Sequence, residues 1–385
     1  MSKTTTRRNF IKSAGLMTAA AALINPMDIF AQKRSSAAKA GGSKKLALRW
    51  EPFDAMLKHP FTIAGFTRTH TPIVLTEISW DGYTGYGEAS MPPYLGETQA
   101  SAMDFLKKID LSRFDSPFRI QDILAYVDSI ALNNTAAKAA VDIALHDLVG
   151  KIMGQPWWKI WGFNPATTPD TSFTVGLDKE DVVRQKTHEA APYNIIKVKL
   201  GVDDETDRMM INTIRSVTDK TIYIDANQGW RDKHYALDMI HWLNEKGVTM
   251  IEQPMPKLWY EESAWLTERS PLPIIADEAC QRLTDVPKLK GAYHGINIKL
   301  MKCTGMREAR EMISLGRSLN MRLMIGCMTE TSCAISAAAQ LATETEWADL
   351  DGNLLISNDI FDGTKIVDGK ITLFDKPGIG VTKLT

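Results

Sequence analysis

The chain has 385 residues, with 45 Lys and Arg against 46 Asp and Glu and a formal net charge of −1. That balance excludes a basic nucleic-acid binder or a charged tail protein, and 44% apolar with 24% charged residues excludes global disorder or a coiled-coil rod. A chain of this size needs no disulfide scaffold, and Cys280, Cys303, Cys327 and Cys333, which lack C-x-x-C spacing, read as small core residues.

Thr6-Arg7-Arg8-Asn9-Phe10-Ile11-Lys12 matches the twin-arginine export pattern. The apolar stretch that follows, from Ala14 to Ile24, is too short to cross a bilayer. Residues 1–31 are therefore expected to be a twin-arginine signal peptide, cut near Ala31-Gln32, and residues 32–45 a flexible Lys/Ser/Ala/Gly-rich linker. No cysteine nearby can take a lipid, so the expected product is periplasmic and not membrane-bound.

From Leu46 to about Trp80 apolar stretches alternate, ending at the hairpin signal Asp81-Gly82. Helical periodicity follows over 97–109, 119–131 and 135–152, the last with Ala136, Ala140, Val141, Ile143, Ala144 and Leu148 at 3–4 spacing. Strands first and helices after make residues 46–165 an α+β unit.

From about residue 172 the pattern changes to eight short apolar runs separated by amphipathic helices. They begin at Phe173, Ile195, Ile222, Met250, Pro273, Gly295, Arg322 and Trp347. This is the repeating βα unit of a parallel barrel. An open doubly wound sheet usually carries a glycine-rich phosphate turn, and neither G-x-G-x-x-G nor G-x-x-x-x-G-K-S/T occurs. The barrel is expected over residues 166–370.

Asp225, Glu252 and Asp277 end successive runs, one βα unit apart, so a barrel converges them on one mouth. Three converging carboxylates repel one another unless a hard cation sits among them, and all-oxygen ligation points to Mg²⁺. Lys197 and Lys199 share one face of the preceding strand, and Lys299 ends a run on the opposite side of the ring. Beside a cation such amines are expected to have lowered pKa values. Two amines on opposite faces of a bound carboxylate suit a 1,1-proton transfer, one removing the α-proton and the other returning it on the far side.

Lys-Val-Lys, Asp-Ala-Asn-Gln-Gly, Glu-Gln-Pro, Ala-Asp-Glu and Asn-Ile-Lys-Leu-Met-Lys, in this order and spacing, resemble the muconate-lactonizing subgroup of the enolase superfamily over roughly residues 46–385. The resemblance implies a modified (β/α)7β TIM-type barrel under an α+β N-terminal capping domain, with residues 371–385 returning to the cap. It implies one Mg²⁺ per subunit on Asp225, Glu252 and Asp277, Lys199 and Lys299 as the acid/base pair, Lys197 supporting the substrate carboxylate, and a homo-oligomer.

Asp349-Leu350-Asp351 places two acids on one strand face, suited to an ammonium, and is similar to the element with which dipeptide epimerases hold a substrate's N-terminal amine. Gly326-Cys327-Met328-Thr329-Glu330-Thr331 and Thr174 also resemble that group, which makes Cys327, Thr329 and Thr174 substrate-binding candidates. One departure concerns the cap loop. Where epimerases of Ala-Glu carry arginine, this chain has Phe66, with Arg68 two residues later. Either Arg68 takes the role, or the second residue of the substrate is apolar or small.

The reading is a Mg²⁺-dependent epimerase inverting the second residue of a small dipeptide of the Ala-Xaa class, with murein fragments as a source. The alternatives are a cycloisomerase or o-succinylbenzoate synthase, which need no acids at 349 and 351, and a periplasmic peptide-binding protein without catalysis. A zinc hydrolase is disfavoured, because the seven histidines form no H-x-H or H-x-x-x-H pair.

Overall fold

The computed structural model describes residues 45–63, 66–92 and 95–384, and the side chains of residues 61–66 lie outside the description. The expected signal peptide, its cleavage point and all but the last residue of the linker fall outside the described residues.

The chain opens with an antiparallel sheet in the order β1 (Ala47–Ile63), β2 (Phe66–Trp80) and β3 (Tyr83–Ser90). Asp81 and Gly82 join β2 to β3 with φ of 47° and 80°, both left-handed, as a primed two-residue hairpin requires. Helices α1 (Gln99–Leu106), α2 (Ile120–Ser129) and α3 (Thr135–Met153) follow, then a single turn, α4 (Trp157–Ile160).

Helix α3 departs from the expected one-sided burial: every residue from Ala136 to Gly150 is buried. The cap sheet presses on one side of it. A Cβ added at Gly85 would stand 2.1 Å from Ala144 O, and one at Gly87 2.0 Å from Ala140 O. The other side meets the barrel, where the Asp142 carboxylate accepts from Met306 N at 2.6 Å. A helix covered all round loses its polar face, and the small alanines that allow close approach also blur its periodicity.

Residues 172–349 form eight parallel strands in sequence order, alternating with seven helices. The series is β4 (Ser172–Val175), α5 (Glu180–Glu189), β5 (Ile195–Lys199), α6 (Asp204–Arg215), β6 (Thr221–Asp225), α7 (Lys233–Glu245) and β7 (Val248–Glu252). It continues through α8 (Tyr260–Arg269), β8 (Ile274–Ala276), α9 (Val286–Leu289), β9 (Gly295–Lys299), α10 (Met306–Ser318), β10 (Arg322–Gly326), α11 (Ser332–Ala339) and β11 (Trp347–Asp349). First and last strands meet through a parallel bridge between Thr171 and Ala348, reinforced by Leu350 N donating to Thr171 Oγ1 at 2.8 Å. The result is a nearly closed (β/α)7β barrel.

Inside it, Tyr223, Met250, Ile275, Met324 and Trp347 form an apolar plug. Side chains two apart on a strand share a face, so the next inward positions are residues 225, 252, 277, 326 and 349. The plug thereby sets Asp225, Glu252, Asp277 and Asp349 on the polar layer above it, at the C-terminal mouth.

Candidate active site

Asp225 and Glu252 are the last residues of β6 and β7, and Asp277 follows β8 directly. One carboxylate oxygen from each lies within 4.8 Å of the others, and all three residues are buried. These three acids offer only oxygen ligands around one point, which suits a hard divalent cation such as Mg²⁺.

Four ammonium groups surround this cluster. Lys199 Nζ lies 2.6 Å from Asp225 Oδ2, and Lys299 Nζ lies 2.7 Å from Asp277 Oδ2. The two amines come from β5 and β9, four strands apart in a ring of eight, so they approach from opposite sides. Lys197 reaches Asp349 at 2.6 Å, Glu252 at 2.7 Å and Asp225 at 3.2 Å. Lys302 donates to Asp277 Oδ1 at 2.5 Å, Asp277 O at 2.7 Å and Asn297 O at 3.0 Å.

Charge balance orders the acids. Burial alone would raise Asp225, but Lys199 and Lys197 prevail and its pKa is lowered; Lys299 and Lys302 do the same for Asp277. Glu252 is pushed up to about 7 by burial and by Asp225, even with Lys197 beside it. Glu278 rises to about 8 through burial and the neighbouring Asp277 and Asp225.

The Lys197 ammonium, expected to support a substrate carboxylate, lies among three protein acids. Burial opposes its charge, but Asp349, Glu252 and Asp225 outweigh that and its pKa is raised.

The two acids of the last strand divide similarly. Asp349 is engaged through both oxygens: Oδ1 accepts from Ser172 Oγ at 2.7 Å and Oδ2 from Lys197. Asp351 accepts from Thr174 N, at 2.7 Å, through Oδ2, and from the Thr174 side chain. Burial and Asp349 push Asp351 up to about 7, so an arriving ammonium would stabilise its charged form. Thr174 thus meets Asp351 through both its backbone and its side chain.

Arg68 of β2 crosses from the cap to the barrel mouth, where Nη2 donates to Thr329 Oγ1 at 2.8 Å. Ser90 Oγ of β3 donates to Thr329 O at 2.7 Å, a second strut between cap and mouth. Cys327 is buried beside Gly352, and burial pushes its thiol up. The side chain of Phe66 lies outside the described residues.

Sequence reasoning missed the groups that brace the cluster. Asn297 Nδ2 donates to Glu252 Oε1 at 2.7 Å. Gln253, left-handed at φ 36°, accepts through Oε1 from Asp277 N at 2.9 Å and Ala279 N at 3.1 Å. Its Nε2 donates to Met255 O and Tyr293 Oη, both at 2.9 Å. Asn297, Lys302 and Gln253 all stand inside the quoted Asn-Ile-Lys-Leu-Met-Lys and Glu-Gln-Pro segments, which is the signal that could have found them.

Residues 180–383 match the enolase C-terminal domain-like family, and residues 51–162 match the mandelate racemase / muconate lactonizing enzyme N-terminal domain. An L-Ala-D/L-Glu epimerase of Bacteroides thetaiotaomicron is 59% identical, covering 98% of this chain and 99% of the relative. An L-Ala-D/L-amino acid epimerase of Pedosphaera parvula is 36% identical over 86% of this chain and 97% of its own. The substrate-liganded L-Ala-D/L-Glu epimerase of Bacillus subtilis superposes with a TM-score of 0.83 at 26% identity, covering 89% of this chain and 100% of that one. A dipeptide epimerase of Enterococcus faecalis, complexed with Mg and L-Leu-L-Tyr, gives 0.80 at 31%, covering 88% and 99%.

Proposed function

Because the chain belongs to the mandelate racemase / muconate lactonizing enzyme family of the enolase superfamily, we propose that it is a Mg²⁺-dependent epimerase of Ala-Glu-type dipeptides. The observation that carries the reading is the pair Lys199 and Lys299, reaching one buried triad of carboxylates from opposite sides of the barrel.

Asp225, Glu252 and Asp277 would hold one Mg²⁺ per subunit. Bound there, the cation supplies positive charge next to the substrate carboxylate, which acidifies the α-carbon. Asp351 receives the N-terminal ammonium, while Asp349, engaged by Lys197 and Ser172, fixes that wall of the site. One of Lys199 and Lys299, neutral, takes the α-proton; the C–H electron pair passes into the carboxylate. The other lysine, protonated, delivers a proton to the opposite face, and the centre inverts with no redox change.

Arg68 supports an acidic second residue, since its guanidinium reaches the mouth from the cap. The 59%-identical relative bears an Ala-Glu name, which points the same way. The twin-arginine pattern supports a periplasmic enzyme meeting murein-derived peptides. The test is incubation of Ala-Glu and other dipeptides in D₂O with Mg²⁺. Deuterium at the second α-carbon, with appearance of the epimer, is expected. Tight binding without exchange would assign a peptide-binding protein, and loss of the dipeptide to a cyclic or dehydrated product a cycloisomerase or synthase.

A further inference from the structure

Away from the barrel mouth, a cavity of about 710 Å³ opens between the cap and barrel helix α10. Its volume falls within the range of small-molecule sites, which are typically apolar with a few convergent polar groups. Trp157 and Trp161 form an aromatic wall, their rings 5.0 Å apart. Facing them on α10 are Arg307 and Arg310, the latter with its guanidinium 5.1 Å from the Trp161 ring.

His146, 3% exposed, lines the same cavity. Its Nδ1 is taken by Asp142, through the backbone carbonyl at 2.8 Å and the carboxylate at 3.1 Å. Ile120 and Gln121, at the start of α2, also line the space, and that ten-residue helix has no side-chain cap at its N-terminus. The positive end of the helix dipole, with Asp122 in its first turn, lies beside the two guanidinium groups. Glu311 is the one acid on the lining, and it lies 3.8 Å from Arg307. The lining is therefore aromatic and apolar on one side and cationic on the other.

We propose that this cavity is a second binding site, separate from the catalytic one, for a flat apolar molecule carrying one carboxylate. The apolar body packs against the Trp157 and Trp161 wall, and the carboxylate meets Arg310. The site adjoins the strut that carries a catalytic amine: Asp142, which holds His146, also accepts from Met306 N at the head of α10, the helix that follows Lys299 of β9.

The experiment is calorimetric titration of the full-chain protein with indole-3-propionate and, separately, with its neutral amide. The carboxylate is expected to bind with a Kd at or below about 1 mM. The amide and the Arg310→Ala variant are each expected to bind about tenfold more weakly or worse, as loss of a charge-assisted hydrogen bond dictates. Arg310→Ala should leave epimerisation unchanged. No binding of the acid, equal binding of acid and amide, or full affinity in Arg310→Ala would each overturn the proposal. So would a change of oligomeric state in Arg310→Ala with probe binding intact, which would give this face to contacts between copies.

Discussion

Lys302 Nζ and Asp277 Oδ1 stand 2.5 Å apart, both residues buried, while the other oxygen of the same carboxylate takes Lys299. Asp277, a proposed metal ligand, is thus gripped from behind by an amine that spends all three of its hydrogens on Asp277 and Asn297. Removing one partner of a buried ion pair typically costs about 3–5 kcal/mol. Lys302→Met is expected to lower the urea-unfolding free energy by about that amount in chelator. Saturating Mg²⁺ should restore part of the loss, because it returns positive charge to the cluster. An unchanged unfolding midpoint would contradict this.

The opposed placement of Lys199 and Lys299 makes a stereochemical prediction. Each single alanine variant should lose epimerisation by about 10²–10⁴-fold, the usual contribution of a positioned acid/base group. The remaining lysine can still remove and return a proton on its own face. In D₂O each variant should therefore exchange the α-proton of one epimer only, and the two variants should choose opposite epimers. Mass spectrometry of recovered dipeptide reads this directly; exchange of both epimers by either variant would refute it.

Arg68 is expected to govern the second residue of the substrate. Arg68→Met should reduce kcat/KM for Ala-Glu by about 10–100-fold, the value of a charge-assisted hydrogen bond, and leave Ala-Leu nearly unaffected. Equal losses on both dipeptides would show that Arg68 only holds the cap to Thr329.

Gln253 makes four side-chain hydrogen bonds that fix the loops carrying Glu252 and Asp277. Outer groups of this kind usually tune metal affinity by about 10–100-fold. Gln253→Met should weaken Mn²⁺ binding, measured by calorimetry, by about tenfold, with kcat at saturating metal falling less. A lowered melting temperature with unchanged Mn²⁺ affinity would leave Gln253 a purely structural role.

Glu88 gives a pH prediction away from the metal ligands. Burial pushes its carboxyl from the ordinary 4.5 up to about 7, despite hydrogen bonds from Thr331. The unfolded chain releases this proton first, so Glu88 costs no stability below pH 4.5. The cost grows between pH 4.5 and 7, where only the native state keeps the proton, and is constant above. Glu88→Gln should flatten the decline of stability over that window, read by urea unfolding in chelator at pH 4.5, 6 and 8. A slope unchanged from the parent protein would count against it.

The barrel and its mouth were legible because strand ends carry chemistry that helices and loops do not. Asp225, Glu252 and Asp277 recur once per βα unit, and Lys199 and Lys299 close short apolar runs where a surface lysine is out of place. Period-two strands and the convergence of parallel strand ends convert that spacing into geometry without further information.

What the sequence determined by itself was the eight-strand order, the acids at the rim and the amines beside them. Only the folded chain decided how those charges are shared. Lys197, Asp349 and Asp351 look equally available along the sequence, yet Lys197 pairs with Asp349 while Asp351 is held by Thr174. Helix α3 reads as amphipathic and is buried on every side, because the barrel covers the face that local periodicity assigned to water. Pairing between buried charges depends on distances of a few ångströms between residues far apart in the chain, and no local pattern encodes those distances.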